Sequence, residues 1–157
     1  MITIKHFSTN EFDAQGEPGT GKHMRVSTLL KLDAAREIYG KPITIRHGFR
    51  TVKAAERIRR SYPGAVKNSA HENGYAVDLA PTAGFRTLED WLVFLEALWD
   101  AGFRRFGIMA NTIHTDDDPK RTSPAIWEYS STSPNVCCFY LLHWNDGHDG
   151  RLCILLF

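Results

Sequence analysis

Apolar and polar positions alternate with two different periods along this chain. Val26, Leu29 and Leu30 begin a stripe at helical spacing, and Gly40-Lys41-Pro42 ends the helix it predicts. Leu88, Trp91, Leu92, Leu95, Leu98 and Trp99 fall on one face of a second, more apolar helix. Between them a basic helix is expected over about Val52 to Ser61, stopped by Pro63-Gly64. Strand-like segments are shorter: Ile43-Thr44-Ile45, closed by a turn at His47-Gly48, then the alternating Tyr75 to Ala80. Arg105 to Met109, Thr112 to Thr115 and Ala125 to Tyr129 read as three more. At the start, Ser8 to Glu11 has the spacing of a capping box, and the Gly-rich stretch from Gly16 to Gly21 reads as a loop.

Helices interspersed with short strands, without a regular strand–helix–strand rhythm, predict one α+β domain: a small antiparallel sheet with flanking helices. Its expected extent is residues 1–130. Residues 131–157 form an extension in which the apolar runs Val136 to Leu142 and Leu152 to Phe157 flank turn signals, the pattern of a β-hairpin packed on the same domain.

Composition adds mostly exclusions. A chain of 157 residues, 43% hydrophobic, is large enough for a real core. A net charge of +1 gives no global field for nucleic acid, and no apolar run is long enough to insert into a membrane. Residues 1–6 have neither the basic opening nor the apolar core of a secretory signal, so the chain is expected to be cytoplasmic as synthesised. Three Cys, two of them adjacent, argue against a disulfide framework. Gly16 to Lys22 matches part of a phosphate-binding loop, but His23 stands where a Ser or Thr would coordinate magnesium and no apolar strand precedes it. Lys53, Arg57, Arg59, Arg60 and Lys67 lack interleaved aromatics and read as a solvated face rather than a polyanion site. Cys138, His143, His148 and Cys153 are spaced like a zinc knuckle, yet the apolar flanks favour the hairpin. No pattern speaks to oligomeric state.

Candidate chemistry concentrates in Ser69-Ala70-His71-Glu72-Asn73-Gly74-Tyr75-Ala76-Val77-Asp78. A strand that buries Val77 and Leu79 must turn Asp78 to its other face, where an unpaired carboxylate among apolar neighbours is costly. A cation should therefore satisfy it. Ile113-His114-Thr115-Asp116 repeats the design, with a His and an Asp on one face of a short strand. Two imidazoles and one carboxylate make a three-donor zinc set with a fourth position open to water. From spacing alone a buried His–Asp ion pair beside an unrelated surface His fits equally well.

The ten residues from Ser69 to Asp78 resemble the Ser-x-His-x-x-Gly-x-Ala-x-Asp signature of zinc D-Ala-D-Ala carboxypeptidases. Their wider group includes phage L-alanyl-D-glutamate endolysins and the zinc fold of hedgehog domains. His47-Gly48-Phe49-Arg50-Thr51 is similar to the family's Ser-Gly-Tyr-Arg-Ser turn. Phe106-Gly107-Ile108, followed by Ile113 to Asp116, resembles its final strand pair, and Lys5 to Phe12 resembles the start of its short members. The likeness runs from about residue 4 to 129. It implies a Zn2+ peptidase acting on peptidoglycan stem peptides, with His71, Asp78 and His114 as ligands and Arg50 as a fixed cation over the site. Many members carry a Glu base three residues before the last His. Here that position is Asn111, which cannot accept a proton, so Asp116 is the candidate base or a partner orienting His114. Asp117 and Asp118 are expected to be solvated. A short chain with no signal and no wall-binding module suits a phage lysis enzyme acting at the cell wall. A zinc domain of this fold without activity is the alternative.

Overall fold

The computed structural model describes residues 4–63 and 65–129, together with the backbone of 142–143 and 153–154. Three α-helices form where the stripes predict them: α1 (Val26–Tyr39), α2 (Val52–Ser61) and α3 (Leu88–Asp100). The caps are local. Thr51 accepts from the Ala54 amide, and Thr87 accepts from the Asp90 amide while Asp90 accepts from that of Thr87.

Five strands make one sheet: β1 (Ile43–His47), β2 (Ala76–Pro81), β3 (Arg105–Met109), β4 (Thr112–Asp116) and β5 (Ala125–Glu128), in the order β1-β2-β4-β3-β5. All neighbours pair antiparallel except β3 and β5, which are parallel. The expected small antiparallel sheet with flanking helices is present, and the one parallel pair has a simple reason. β2 already occupies the outer side of β4, so the chain leaving β4 can extend the sheet only beyond β3. The loop 117–124 carries it there, and β5 then runs in the same direction as β3. β1 is also longer than its β-branched core, because a register irregularity between Ile45 and His47 keeps His47 in the ladder.

Strand alternation divides the sheet into two chemically distinct faces. Ile45, Val77, Leu79, Phe106 and Ile113 belong to the core, where they meet Leu32, Ala35 and Tyr39 of α1 and Phe94, Leu95 and Leu98 of α3. Tyr39 and Phe94 meet edge-to-face with centroids 4.9 Å apart. The opposite face carries His47, Asp78, His114, Gly107 and Trp127 in register across all five strands.

The Gly-rich loop is closed by its own acid. Asp13 accepts from the amides of Gly19 (2.9 Å) and Gly21 (2.7 Å), and these bonds hold its carboxyl below the usual range. Amides that a phosphate would need are thereby occupied, which removes the nucleotide reading. In the extension, β6 (Leu142–His143) and β7 (Cys153–Ile154) pair antiparallel. Its packing on the domain and the Cys/His spacing lie outside the described residues.

Leu98 is fully buried whereas Leu30 is half exposed. Leu98→Ala is expected to cost about 2–5 kcal/mol, while Leu30→Ala stays within about 0.5 kcal/mol. Urea midpoints measure both.

Candidate metal centre

His71 sits in a single helical turn, Ala70–Asn73, whose geometry is held from several sides. Glu72 accepts from the Ser69 amide at 3.0 Å, and Arg59 of α2 donates to the same Glu72 oxygen at 3.1 Å. The basic helix is thus not merely a solvated face: Arg59 fastens the turn that carries His71. The turn ends at Gly74 with φ +76°, where a Cβ would lie 2.3 Å from the His23 carbonyl oxygen, so the chain can reverse into β2 only at glycine. Four residues on, Asp78 projects from β2 directly opposite His114 of β4.

His71, Asp78 and His114 are all buried, and one donor atom from each lies within 4.8 Å of the others. His71 Nε2 is 3.2 Å from both Asp78 Oδ1 and His114 Nδ1, and His114 Nδ1 is 2.8 Å from the same Oδ1. What lies behind each ring assigns its protons. His71 Nδ1 is 2.7 Å from the Gly48 carbonyl, which can only accept, so Nδ1 carries hydrogen and Nε2 presents a lone pair inward. His114 Nε2 faces Asp116 Oδ2 at a long 3.4 Å, and Nδ1 is left to face inward. With His114 neutral and its hydrogen on Nε2, two imidazole lone pairs and a carboxylate oxygen converge. A proton on His114 Nδ1 or a metal ion satisfies that arrangement, and two nitrogens with one oxygen suit a divalent transition metal.

Electrostatics favour a neutral ring at His71 and a proton on His114. Burial pushes the His71 pKa down, outweighing attraction to Asp78, and so favours the neutral ring. Burial disfavours imidazolium at His114 too, but hydrogen bonds to Asp116 and Asp78 outweigh it and raise that pKa. Burial alone would raise the Asp78 carboxyl; the surrounding imidazoles hold it well below the usual range instead. A proton on His114 and a metal ion compete for one lone pair.

The second Asp78 oxygen is held separately. Arg50 Nη2 donates to Oδ2 at 3.0 Å, and His47 Nδ1 lies 3.2 Å from it. Arg50 therefore reaches the site, and its buried Nε has no hydrogen-bond partner among the described residues. Asp116 is buried as well, but Oδ1 accepts from Arg105 Nε (2.9 Å) and from the Asp118 amide (3.3 Å), while Oδ2 faces His114. Asn111 is exposed in the turn between β3 and β4. Asp117 and Asp118 are not solvated: Asp117 accepts from Thr28 and Lys31, and Asp118 from Arg121 and the Lys120 amide. Each tethers the loop that leaves β4.

Sequence reasoning missed two contributors. His47 has a ladder position opposite Asp78, which its place beside Gly48 concealed. The aromatic wall of Trp127 and Tyr129, with centroids 5.5 and 6.5 Å from the His114 ring, required knowing that β5 lies beyond Gly107.

The family model described as Peptidase M15 matches residues 5–116. This chain belongs to that family. The matched span of this M15 member includes His71, Asp78, His114, Arg50 and Asp116, and ends before Trp127 and Tyr129. Its fold is similar to that of the Serratia marcescens L-Ala D-Glu endopeptidase ChiX, with a TM-score of 0.51 and 17% identity, covering 60% of this chain and 80% of that one. No curated protein sequence matches the chain significantly.

One divalent ion per chain is the expected uptake. His71→Ala should abolish it and His47→Ala should leave it stoichiometric, as read by metal analysis after dialysis against zinc.

Proposed function

We propose that this chain is a zinc peptidase hydrolysing a peptide bond in the stem peptides of bacterial peptidoglycan. The observation that carries the reading is the convergence of His71 Nε2, His114 Nδ1 and one Asp78 oxygen in a buried corner of the sheet. Family membership supports the reaction class, and the name of the structural neighbour makes an internal L-Ala–D-Glu bond the first to assay.

His71, Asp78 and His114 would hold the zinc, which when bound polarises a scissile carbonyl and lowers the pKa of water from ~15.7 toward ~7. The remaining residues prepare the site around it. Gly48 and Asp116 set the two ring orientations, and Arg105 in turn holds Asp116. With both oxygens so engaged, Asp116 suits orienting His114 better than accepting a proton. Arg50 keeps one nitrogen on Asp78 and offers its remaining donors to a substrate carboxylate or to developing negative charge.

Asn111, at the position where many relatives place a base, favours a second reading: a zinc domain of this fold without activity. Digestion of purified peptidoglycan, followed by mass spectrometry of released peptides, separates the two. Hydrolysis should be lost on chelation and restored by zinc. A zinc-loaded protein that releases nothing would leave the binding-domain reading standing.

Arg50→Ala is expected to lower kcat/KM about 10²–10³-fold with zinc retained. Asp116→Asn should weaken zinc affinity about 10–100-fold, measured by competition with a chromophoric chelator.

A further inference from the structure

β5 has no role in the donor set, yet it presses two large aromatic side chains against it. Trp127 pairs in register with Gly107, which pairs with His114. A Cβ on residue 107 would lie 2.6 Å from Tyr129 Cε2 and 2.8 Å from Trp127 Cε2. The missing side chain at that one place in the row lets both rings approach the strand and reach His114. Trp127 is gripped from another side by the Arg105 guanidinium, 5.2 Å from its ring, so the residue that anchors Asp116 also anchors this wall.

Tyr129 is the outer member of the pair and is 46% exposed, so its ring borders solvent and the buried centre at once. The Trp127 and Tyr129 rings meet edge-to-face with centroids 6.2 Å apart, and the Tyr129 ring meets His114 in the same way at 6.5 Å.

We infer that Tyr129 is a catalytic residue: its hydroxyl donates a hydrogen bond to the scissile carbonyl oxygen as negative charge develops there, from the His114 side of the site. This rests on the proposed hydrolysis. The group is preorganised, because the Gly107 seat and the ring contact with Trp127 position it before substrate arrives. No bond to Tyr129 forms or breaks; the phenol keeps its proton throughout.

Tyr129→Phe retains the ring and removes only the donor. In the zinc-loaded enzyme acting on purified muropeptides, kcat should fall about 10²-fold with KM changed less than about threefold. Zinc affinity should be unchanged by chelator competition. A phosphinic peptide analogue, which mimics the charged tetrahedral species, should bind the variant correspondingly more weakly, while a product peptide binds both proteins alike. A variant with wild-type kcat, or one losing analogue and product affinity equally, would overturn the assignment. Wild-type turnover measured alongside separates the claims. An inactive wild type overturns the proposed function and this inference with it, whereas an active wild type with an equally active variant overturns only the role of the phenol.

Discussion

A carboxylate taken out of water in the middle of a sheet is the constraint around which this molecule is arranged. Asp78 is nearly inaccessible, and every strand residue of β2 is buried. An isolated charge there would be too costly to retain, so its surroundings have to compensate. They do so asymmetrically. Arg50 and His47 take one oxygen, leaving the other to face two imidazoles whose inward nitrogens are lone-pair donors. The same desolvation that makes Asp78 expensive makes a metal ion at that corner favourable.

The sheet supplies the precision. His47, Asp78, His114, Gly107 and Trp127 occupy one continuous row over five strands. Strand pairing fixes their spacing through backbone hydrogen bonds rather than through flexible side chains. The row is buttressed from outside it: the Gly48 carbonyl behind His71, Asp116 and Arg105 behind His114, and Arg59 through Glu72 behind the turn that carries His71. The geometry of the donor cluster is therefore distributed over residues outside it. The core face, packed by α1 and α3, keeps the sheet rigid enough for the row to hold its register.

Family membership accounts for residues 5–116, which contain the donors and Arg50. β5 lies outside that span, yet closes the sheet beside His114. Variation in such a flanking strand can change what the centre accepts or how fast it works without disturbing the donor set, because the strand is attached through β3 and not through β2 or β4.

Local pattern was sufficient for much of this. The helical stripes, the strand alternation, the capping boxes and the reversal at Gly74 are all short-range physics, and they place His71 and Asp78 seven residues apart across a turn with Asp78 on the polar face. The residues also offered His114 as a third donor, and resemblance to a known signature added Arg50. Tertiary structure alone decided the rest. Which nitrogen of each imidazole faces inward depends on Gly48 and Asp116, one of them distant in the chain from the ring it orients. The parallel addition of β5, the use of Gly107 as a seat for Trp127 and Tyr129, and the binding of Glu72 by Arg59 are contacts between residues that no local period relates. Periodicity reports which face a side chain takes; only strand order and register report what stands opposite it, and the donor cluster depends on the second.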